Sequence, residues 1–316
     1  MMRRLFGAGI VAALWVAAPA SAQTLPPQIE AECPHAAGLA IECVRPSATD
    51  PAIQRFDSSN YVIIGEQAGS NAPLLLFLSG TGGVPPGPKA FLTAAAGAGY
   101  RVISLAYNDD VSVAIYCPTR PSPDCSTNFR AMRIYGNQKF GDAAVDNTSA
   151  ESIVNRLVKL LQYLDRNHRD GSWGGYLRNG MPEWQRIAVA GQSQGAGMAA
   201  FVAKQYRIAR VILFSSPWDY VERNGQRELA PWISLPSKTP PERWFGGYHA
   251  RENMADLLAR SYGALNIPQG HIRVFDEDLP GGLQSAPRSE NPFHGQGLFN
   301  PAYAEARAFF LRTPER

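Results

Sequence analysis

The sequence predicts an α/β fold with a mostly parallel central sheet flanked by helices, on three observations. Several short apolar runs do not alternate with polar residues, as is typical of strands buried on both faces of a parallel sheet; these are residues 74–78, 101–106, 187–190 and 210–215. Segments with helical periodicity separate those runs. One run also breaks into Gly191-Gln-Ser-Gln-Gly195, the pattern of a strand that turns sharply into a helix.

The N-terminal segment, residues 1–22, has the layout of a secretory signal peptide. Met-Met-Arg-Arg precedes an apolar run over residues 5–18, and Ala20-Ser-Ala22 offers a cleavage site after Ala22. This run is too short for a comfortable membrane span, and no later stretch supplies about 18 consecutive apolar residues. We therefore expect an exported protein, periplasmic or extracellular, without stable membrane insertion. A retained N-terminal anchor is the alternative.

The charge balance excludes some classes of partner. Lys and Arg number 30 and Asp and Glu 27, and cleavage would remove Arg3 and Arg4, which brings the mature chain close to neutrality. Neither nucleic acid nor an acidic membrane is then an expected partner.

The cysteines predict a disulfide framework. Four cysteines in an exported chain are expected to form two disulfides. Three connectivities are possible, and the spacing favours the local pairs Cys33 with Cys43 and Cys117 with Cys125. A metal site is disfavoured because the sequence has no Cys-x-x-Cys and no adjacent pair of histidines.

The other elements follow in chain order within a single domain over residues 23–316. Strands are predicted at residues 41–44, 61–65, 243–248 and 271–275, and helices at residues 91–98, 153–164, 196–206 and 254–265. Thr148-Ser-Ala-Glu151 matches a capping box before the second of these helices. Asn300-Pro301 is predicted to cap a closing helix that runs through Phe310.

Two long segments are predicted to act as lid-like insertions over an active site. Residues 107–147 show no clear period but contain Cys117 and Cys125, and residues 217–241 form a Pro- and Trp-rich excursion. A segment as long as the first is normally functional or disordered, and the disulfide argues against disorder. Arg130 and Arg133 would face an anionic substrate on one interpretation, although loop arginines are more often solvated or ion-paired.

The motif around Ser193 is interpreted as a nucleophile elbow. Gly191 and Gly195 would allow strand and helix to meet closely, which would hold the Ser193 hydroxyl at the carboxyl edge of the sheet. The N–H of Gln194, at the start of the helix, would donate to a developing oxyanion. Gly-x-Ser-x-Gly alone also occurs by chance, so the strand before it and the helix after it carry the interpretation.

A glycine-rich loop after residues 74–78 is the expected source of a second oxyanion donor. Its sequence is Ser79-Gly-Thr-Gly-Gly83, and its glycines let the backbone turn toward the nucleophile. Thr81 or Gly82 would supply the N–H. An ordinary glycine turn is the alternative, and the presence of the elbow favours the oxyanion hole.

With strands and helices in alternation and Ser193 on an elbow, the chain from about residue 61 onward resembles the α/β-hydrolase superfamily. Within it, the sequence looks like the small, signal-bearing bacterial serine hydrolases, esterase- or lipase-like, that keep a disulfide-bearing insertion after the fourth strand. The resemblance implies the α/β-hydrolase fold and a catalytic triad in the chain order nucleophile, acid, histidine.

Of the five histidines, His294 fits that order best. Three of the others precede the nucleophile or the best acid candidate, namely His35, His168 and His249. His271 opens a predicted strand, where a structural role is expected. His294 instead lies in a loop between the last strand and the last helix, where the superfamily has its general base.

The acid that completes the triad is left open between several carboxylates. The resemblance favours Glu252, because the superfamily's acid usually follows the strand at this place, although Asp is more frequent there than Glu. Asp219, at the end of an earlier strand, is one alternative. The cluster Asp276, Glu277 and Asp278 after the last strand is the other.

Together these residues imply a secreted serine hydrolase that cleaves carboxylic esters through a Ser-His-acid triad and an acyl-enzyme, with no metal or organic cofactor required. The substrate would be a small-molecule or polymeric ester, and the sequence leaves its acyl and alcohol groups open. The alternatives are a peptidase or acyltransferase of the same fold, and a non-catalytic binding protein. The binding protein is disfavoured because no triad member or oxyanion glycine is missing from the sequence.

Overall fold

The computed structural model describes residue 33 and residues 36–118, 120, 122–136, 145–168, 172–279 and 291–312. The predicted signal peptide over residues 1–22 and His35 lie outside the described residues, as do residues 137–144 of the first predicted insertion.

The strands of the described residues form one large sheet and two small ones. In chain order they are β1 (Leu39–Val44), β2 (Asn60–Gly65), β3 (Leu74–Leu78), β4 (Arg101–Leu105), β5 (Leu177–Arg178), β6 (Met181–Pro182), β7 (Ile187–Gln192), β8 (Arg210–Phe214), β9 (Tyr220–Arg223), β10 (Gln226–Leu229), β11 (Trp244–His249) and β12 (Ile272–Phe275). The large sheet has the order β1-β2-β4-β3-β7-β8-β11-β12. Only β2 runs antiparallel to its neighbours, β1 and β4, and the other pairs are parallel. The predicted mostly parallel sheet is therefore confirmed.

Helices cover both faces of this sheet. The α-helices of the described residues are α1 (Pro46–Thr49), α2 (Lys89–Gly97), α3 (Val113–Tyr116), α4 (Cys125–Tyr135), α5 (Ile153–Asn167), α6 (Gln194–Gln205), α7 (Pro231–Ser234), α8 (Ala255–Ala264), α9 (Gln296–Phe299) and α10 (Ala304–Leu311). Buried side chains of α4, α5 and α6 belong to one hydrophobic core, and those of α2 and α10 belong to the core on the opposite face.

β3 shows why the buried strands are continuously apolar. Leu74, Leu76 and Leu78 join the core beneath α5 and α6, while Leu75 and Phe77 join the core beneath α2 and α10. Each of these side chains is at most 1% exposed. Burying a side chain of this size stabilises the fold by roughly 1.5–3 kcal/mol, so neither face of the strand can accept a polar residue without cost.

Four adjacent strands end at the same edge of the sheet. β3, β7, β8 and β11 are neighbours in that order and run parallel. Their carboxyl ends are followed by Gly80, Ser193, Ser215 and Glu252, respectively. The fold therefore places the predicted nucleophile, acid and oxyanion loop at one edge.

The two predicted insertions contain more regular structure than the sequence indicated. Residues 107–147 hold α3 and α4, and residues 217–241 hold the β9–β10 hairpin and α7. The sequence pattern obscured α4 because its buried face includes Arg130 and Arg133 beside Phe129 and Met132. Polar residues on the inner face of a helix hide its hydrophobic period.

The predicted capping box at Thr148 is displaced by about one turn. Ser152 is the residue that caps α5, and its Oγ accepts a hydrogen bond from Asn155 N at 3.2 Å. Thr148 Oγ1 does accept the N–H of Glu151, at 3.3 Å, but the carboxylate of Glu151 does not complete the box. Its Oε1 accepts the N–H of Gln54 at 2.8 Å, from a segment far away in the chain, and its Oε2 pairs with Arg156 of α5. A tertiary contact thus overrides the local capping pattern.

The structure joins Cys33 to Cys43 and Cys117 to Cys125, with Cα atoms 5.7 and 5.5 Å apart. These are the local pairs that the spacing favoured. The second disulfide follows β4 and links the end of α3 to the start of α4. Of the helices in the described ranges, none has the length and apolar character needed to cross a membrane.

Candidate active site

Ser193 lies on a sharp turn between β7 and α6. Its φ of 51° and ψ of −123° are rare for a residue with a side chain, and such strain costs on the order of 1–3 kcal/mol. Its N–H donates to the carbonyl of Phe214 at 2.9 Å, which ties the turn to β8. A Cβ added to Gly191 would lie 2.6 Å from Ala196 N, so strand and helix meet too closely for a side chain there.

Gln194 is the first residue of α6, and its backbone N–H and its side-chain amide have different roles. As the first helical residue it has a backbone N–H without an intrahelical acceptor. Its buried side chain is fully engaged elsewhere, because Oε1 accepts from Val113 N at 2.9 Å and Nε2 donates to Asp109 O at 3.1 Å. The side chain thus anchors the segment after β4, and the backbone N–H remains for an oxyanion.

The glycine-rich loop passes directly against the nucleophile. A Cβ added to Gly80 would lie 3.0 Å from the Cβ of Ser193. Gly83 N donates to Gly80 O at 2.9 Å, and Gly82 has a φ of 67°, as in a type II turn. Of the two predicted oxyanion donors, the N–H of Thr81 directly follows Gly80, and the N–H of Gly82 follows one residue later in the turn.

The structure brings His294 and Glu252 together. Nδ1 of His294 lies 2.8 Å from Oε2 of Glu252. The other oxygen, Oε1, accepts from Ser215 Oγ at 2.7 Å and from His249 N at 2.8 Å. The Glu252 side chain is 1% exposed and that of His294 is 24% exposed. The carboxylate is therefore buried and fixed by three donors, and the imidazole leaves Nε2 as the nitrogen that a nucleophile would meet.

The histidine loop adjoins the elbow through Gln192. A Cβ added to Gly295 would lie 3.3 Å from Nε2 of Gln192, the residue that precedes Ser193. No hydrogen bond joins Ser193 Oγ to His294 among the contacts of the described residues. Nucleophile–base contacts are commonly longer in the free state and shorten when substrate is bound.

Asp219, the alternative acid, lies in a different cluster. Its Oδ2 accepts from Arg130 Nε at 2.7 Å and from Trp232 Nε1 at 2.9 Å, and its Oδ1 meets Arg130 Nη2 at 2.5 Å. The Asp219 and Arg130 side chains are 3% and 1% exposed. Both carboxylate oxygens of Asp219 are thus bound in a buried ion pair with Arg130. The contacts of Asp219 do not include His294.

The second alternative, the cluster after β12, lies at the surface. Asp278 pairs with Arg251 at 2.8 Å, and the carbonyl of Asp276 accepts from the same guanidinium. Glu277 offers its carbonyl to His249 Nε2 at 2.9 Å. These three residues are exposed, and their contacts position the turn after β11 rather than His294.

Comparisons with known proteins identify the architecture. No protein-family model matches the sequence, and no curated protein matches it significantly. Among solved structures, esterase B from Lactobacillus rhamnosis matches with a TM-score of 0.50 at 12% identity, over 88% of this chain and 85% of that one. A bacterial heroin esterase matches with a TM-score of 0.46 at 14% identity, over 89% and 86% of the two chains. The chain has the α/β-hydrolase fold.

Three other histidines of this α/β-hydrolase fold make structural contacts. His249 donates from Nε2 to Glu277 O and accepts the N–H of Arg251 at Nδ1, 3.1 Å away. His271 lies 3.0 Å from Trp244 O and stacks on Phe245. His168, at the end of α5, lies 2.6 Å from Glu42 Oε2. The contacts of His249 also show how the turn that carries Glu252 is held.

Sequence reasoning missed several residues around the α/β-hydrolase elbow. Ser215 follows β8 with a φ of 55° and supports Glu252, and its position at the end of a buried strand was the available signal. Asp109 is buried beside the oxyanion loop, where burial raises the pKa of its carboxyl to about 7, against the lowering effects of the Gly83 N–H and Arg133.

Arg130 and Arg133 are buried rather than exposed in the first insertion. Neither side chain is accessible, and besides Asp219, Arg130 reaches the carbonyl of Gln194 at 3.4 Å. Arg133 contacts the backbone and side-chain oxygens of Asn108. The interpretation in which these arginines face an anionic substrate is therefore wrong. The alternative, an ion-paired arginine, is confirmed for Arg130.

Proposed function

We propose that this protein is a serine hydrolase that cleaves carboxylic esters, with Ser193 as nucleophile, His294 as general base and Glu252 as the orienting acid. The observation that carries the proposal is the His294–Glu252 hydrogen bond of 2.8 Å in a loop that adjoins the strained Ser193 turn. A buried carboxylate on Nδ1 keeps Nε2 free to accept a proton.

The chemistry follows from these positions. Ser193 Oγ attacks the ester carbonyl as His294 Nε2 takes its proton. The N–H groups of Gln194 and Thr81 stabilise the oxyanion. His294 then protonates the departing alkoxide, which leaves an acyl group on Ser193. Water, deprotonated by His294, releases the carboxylic acid and restores the serine.

Support for an ester rather than another acyl compound comes from the structural neighbours. Esterase B, which matches with a TM-score of 0.50, is described as an esterase with a tributyrin phosphonate inhibitor. At this level of identity the likeness concerns the fold, so the assignment of substrate class to this chain belongs to the proposal.

An organophosphonate probe and a substrate series test the assignment. Wild-type protein should be labelled at Ser193 and should hydrolyse p-nitrophenyl esters over some range of acyl lengths. Ser193→Ala should lose both, with an unchanged thermal midpoint, while the exposed control Ser58→Ala should keep both. Equal labelling of Ser193→Ala would exclude the proposed nucleophile. Faster turnover of matched anilides than of esters would assign a peptidase instead.

We also propose that the protein is exported and acts as a single α/β-hydrolase domain over residues 23–316. The two disulfides fit an oxidising compartment. N-terminal sequencing of the protein from the periplasm or medium of an expressing cell should begin at residue 23. Recovery of the uncleaved chain in the membrane fraction would support a retained anchor.

A further inference from the structure

A cavity of about 550 Å³ lies away from the proposed catalytic site. Residues of β1, β2 and β4 line it, together with His168 and Trp173 beyond the end of α5. Arg101 opens β4 and is level in the sheet with Leu74 and Ile187. Ser193 comes six residues after Ile187, so at about 3.3 Å per residue the cavity and the nucleophile are on the order of 20 Å apart.

Arg101 is a buried cation without a hydrogen-bond partner on two of its nitrogens. It is 4% exposed, and among the described residues its Nε and Nη1 atoms have no acceptor. Its guanidinium carbon lies 5.1 Å from the centroid of the Trp173 ring. Buried guanidinium groups are normally paired with an acid, because leaving the charge unpaired away from water is costly. Arg101 also lines the cavity, so an anion bound there would supply the missing acceptor.

Trp173 supplies a second unused donor. Its side chain is fully buried, and its indole Nε1 also has no acceptor among the described residues. A buried indole N–H usually finds a hydrogen-bond partner. Two residues that line one cavity thus each carry a buried donor without an acceptor among the described residues, which is the pattern expected of a site that is completed by a ligand acceptor.

The other residues that line the cavity limit the charge and shape of a ligand that could bind there. Glu42 also lines the cavity, and its carboxylate is paired with His168 at 2.6 Å. Glu42 repels any anion in the cavity, so a ligand with one negative charge, matched by the charge of Arg101, is favoured over a ligand with two. The cavity is much larger than one anion, and Val62, Ile64 and Ala68 give it apolar walls.

We propose that this cavity binds a small organic carboxylate, with the carboxylate on Arg101 and the indole N–H of Trp173 and the apolar body against Val62 and Ile64. The proposal does not depend on the reaction at Ser193.

Benzoate is the probe, with its neutral analogue benzamide and with inorganic phosphate as comparisons. The indole N–H signal of Trp173 is followed in a ¹⁵N-correlated NMR spectrum of the full chain and assigned with Trp173→Phe. Benzoate should shift this signal saturably, and benzamide and phosphate should not. The same shift should occur after Ser193 has been blocked by a phosphonate, which separates this site from the catalytic one.

Two substitutions test the role of the guanidinium. Arg101→Gln should weaken benzoate binding about ten- to a hundredfold, since a hydrogen bond to a charged group is lost with the charge. The exposed Arg178→Gln should bind as the wild type does. Should Arg101→Gln fail to fold, Arg101→Lys keeps the charge without the planar fork and should bind about tenfold more weakly.

The proposal is overturned if benzoate leaves the Trp173 signal unmoved, or if the Arg101 variants bind it as tightly as the wild type. It is also overturned if phosphate or benzamide shifts the signal as benzoate does. Loss of the shift on blocking Ser193 would place the benzoate site at the elbow instead.

Discussion

Glu252 divides its two carboxylate oxygens between His294 and Ser215. Oε2 lies 2.8 Å from Nδ1 of the imidazole, and Oε1 accepts the Ser215 hydroxyl at 2.7 Å. The N–H of His249 also donates to Oε1. Three donors on one buried carboxylate fix its direction. In the proposed triad, the longer side chain of Glu takes the place for which the superfamily more often uses Asp.

The first prediction compares the two candidate acids. Glu252→Gln removes the charge that stabilises the imidazolium and permits the wrong tautomer of His294, so kcat for ester hydrolysis should fall by about 10⁴. Asp219→Asn leaves Arg130 buried without its carboxylate and should destabilise the fold by about 3 kcal/mol or more, with a modest change in the kcat of the folded protein.

Steady-state kinetics and urea unfolding of both variants separate these effects. The assignment of Glu252 fails if Asp219→Asn has the larger loss in kcat under conditions where both variants are folded.

The second prediction concerns the contact between Gly80 and the elbow. Gly80→Ala places a methyl group against the Cβ of Ser193 and the side-chain oxygen of Gln192. The oxyanion loop must then move, and kcat should fall about 10²-fold or more, the loss expected when an oxyanion donor is misplaced. Gly97→Ala is the matched control, because nothing lies within 4 Å of the added Cβ.

Ester kinetics, with circular dichroism to confirm folding, provide the measurement. Retention of full activity by Gly80→Ala would remove this loop from the proposed oxyanion hole.

The third prediction uses the buried carboxyl of Asp109. Burial raises the pKa of this group to about 7, while in the unfolded chain it titrates near 3.9. Between these two values the folded protein keeps a proton that the unfolded chain has lost, so this group lowers stability as pH rises through that window. Asp109→Asn removes the titration. The variant should therefore gain stability relative to wild type as pH rises from about 4 to 8.

Urea unfolding of the two proteins at each end of this range, with the disulfides intact, measures the difference. Parallel stability curves for wild type and Asp109→Asn would show that Asp109 titrates normally in the fold.

The parts of the fold that follow from local pattern were predictable from the sequence. The apolar run of β3 predicts a strand with two buried faces, and the structure divides its side chains between two cores. The glycines around Ser193 predict a turn too tight for side chains, and the structure has that turn. In both cases neighbouring residues along the chain determine the outcome.

Features that depend on distant contacts were not predictable in this way. α4 carries Arg130 on its buried face because Asp219, 89 residues later, neutralises it. Glu151 was expected to cap its own helix and instead binds the backbone of Gln54. The position along the chain favoured Glu252 over Asp219, but which carboxylate meets Arg130 and which meets His294 is a tertiary contact that the spacing of residues does not give.

The contacts of Arg130 limit which segments of this chain can be exchanged separately. One guanidinium binds Asp219, lies over the Trp232 ring at 5.3 Å and reaches the backbone of Gln194 in the elbow helix. A segment carrying α4 therefore cannot be transplanted alone from another protein of this fold, because it would leave a buried charge without its counterpart. The segment around α4 and the segment from Asp219 to Trp232 have to be exchanged as a pair, which makes them a single unit for recombination.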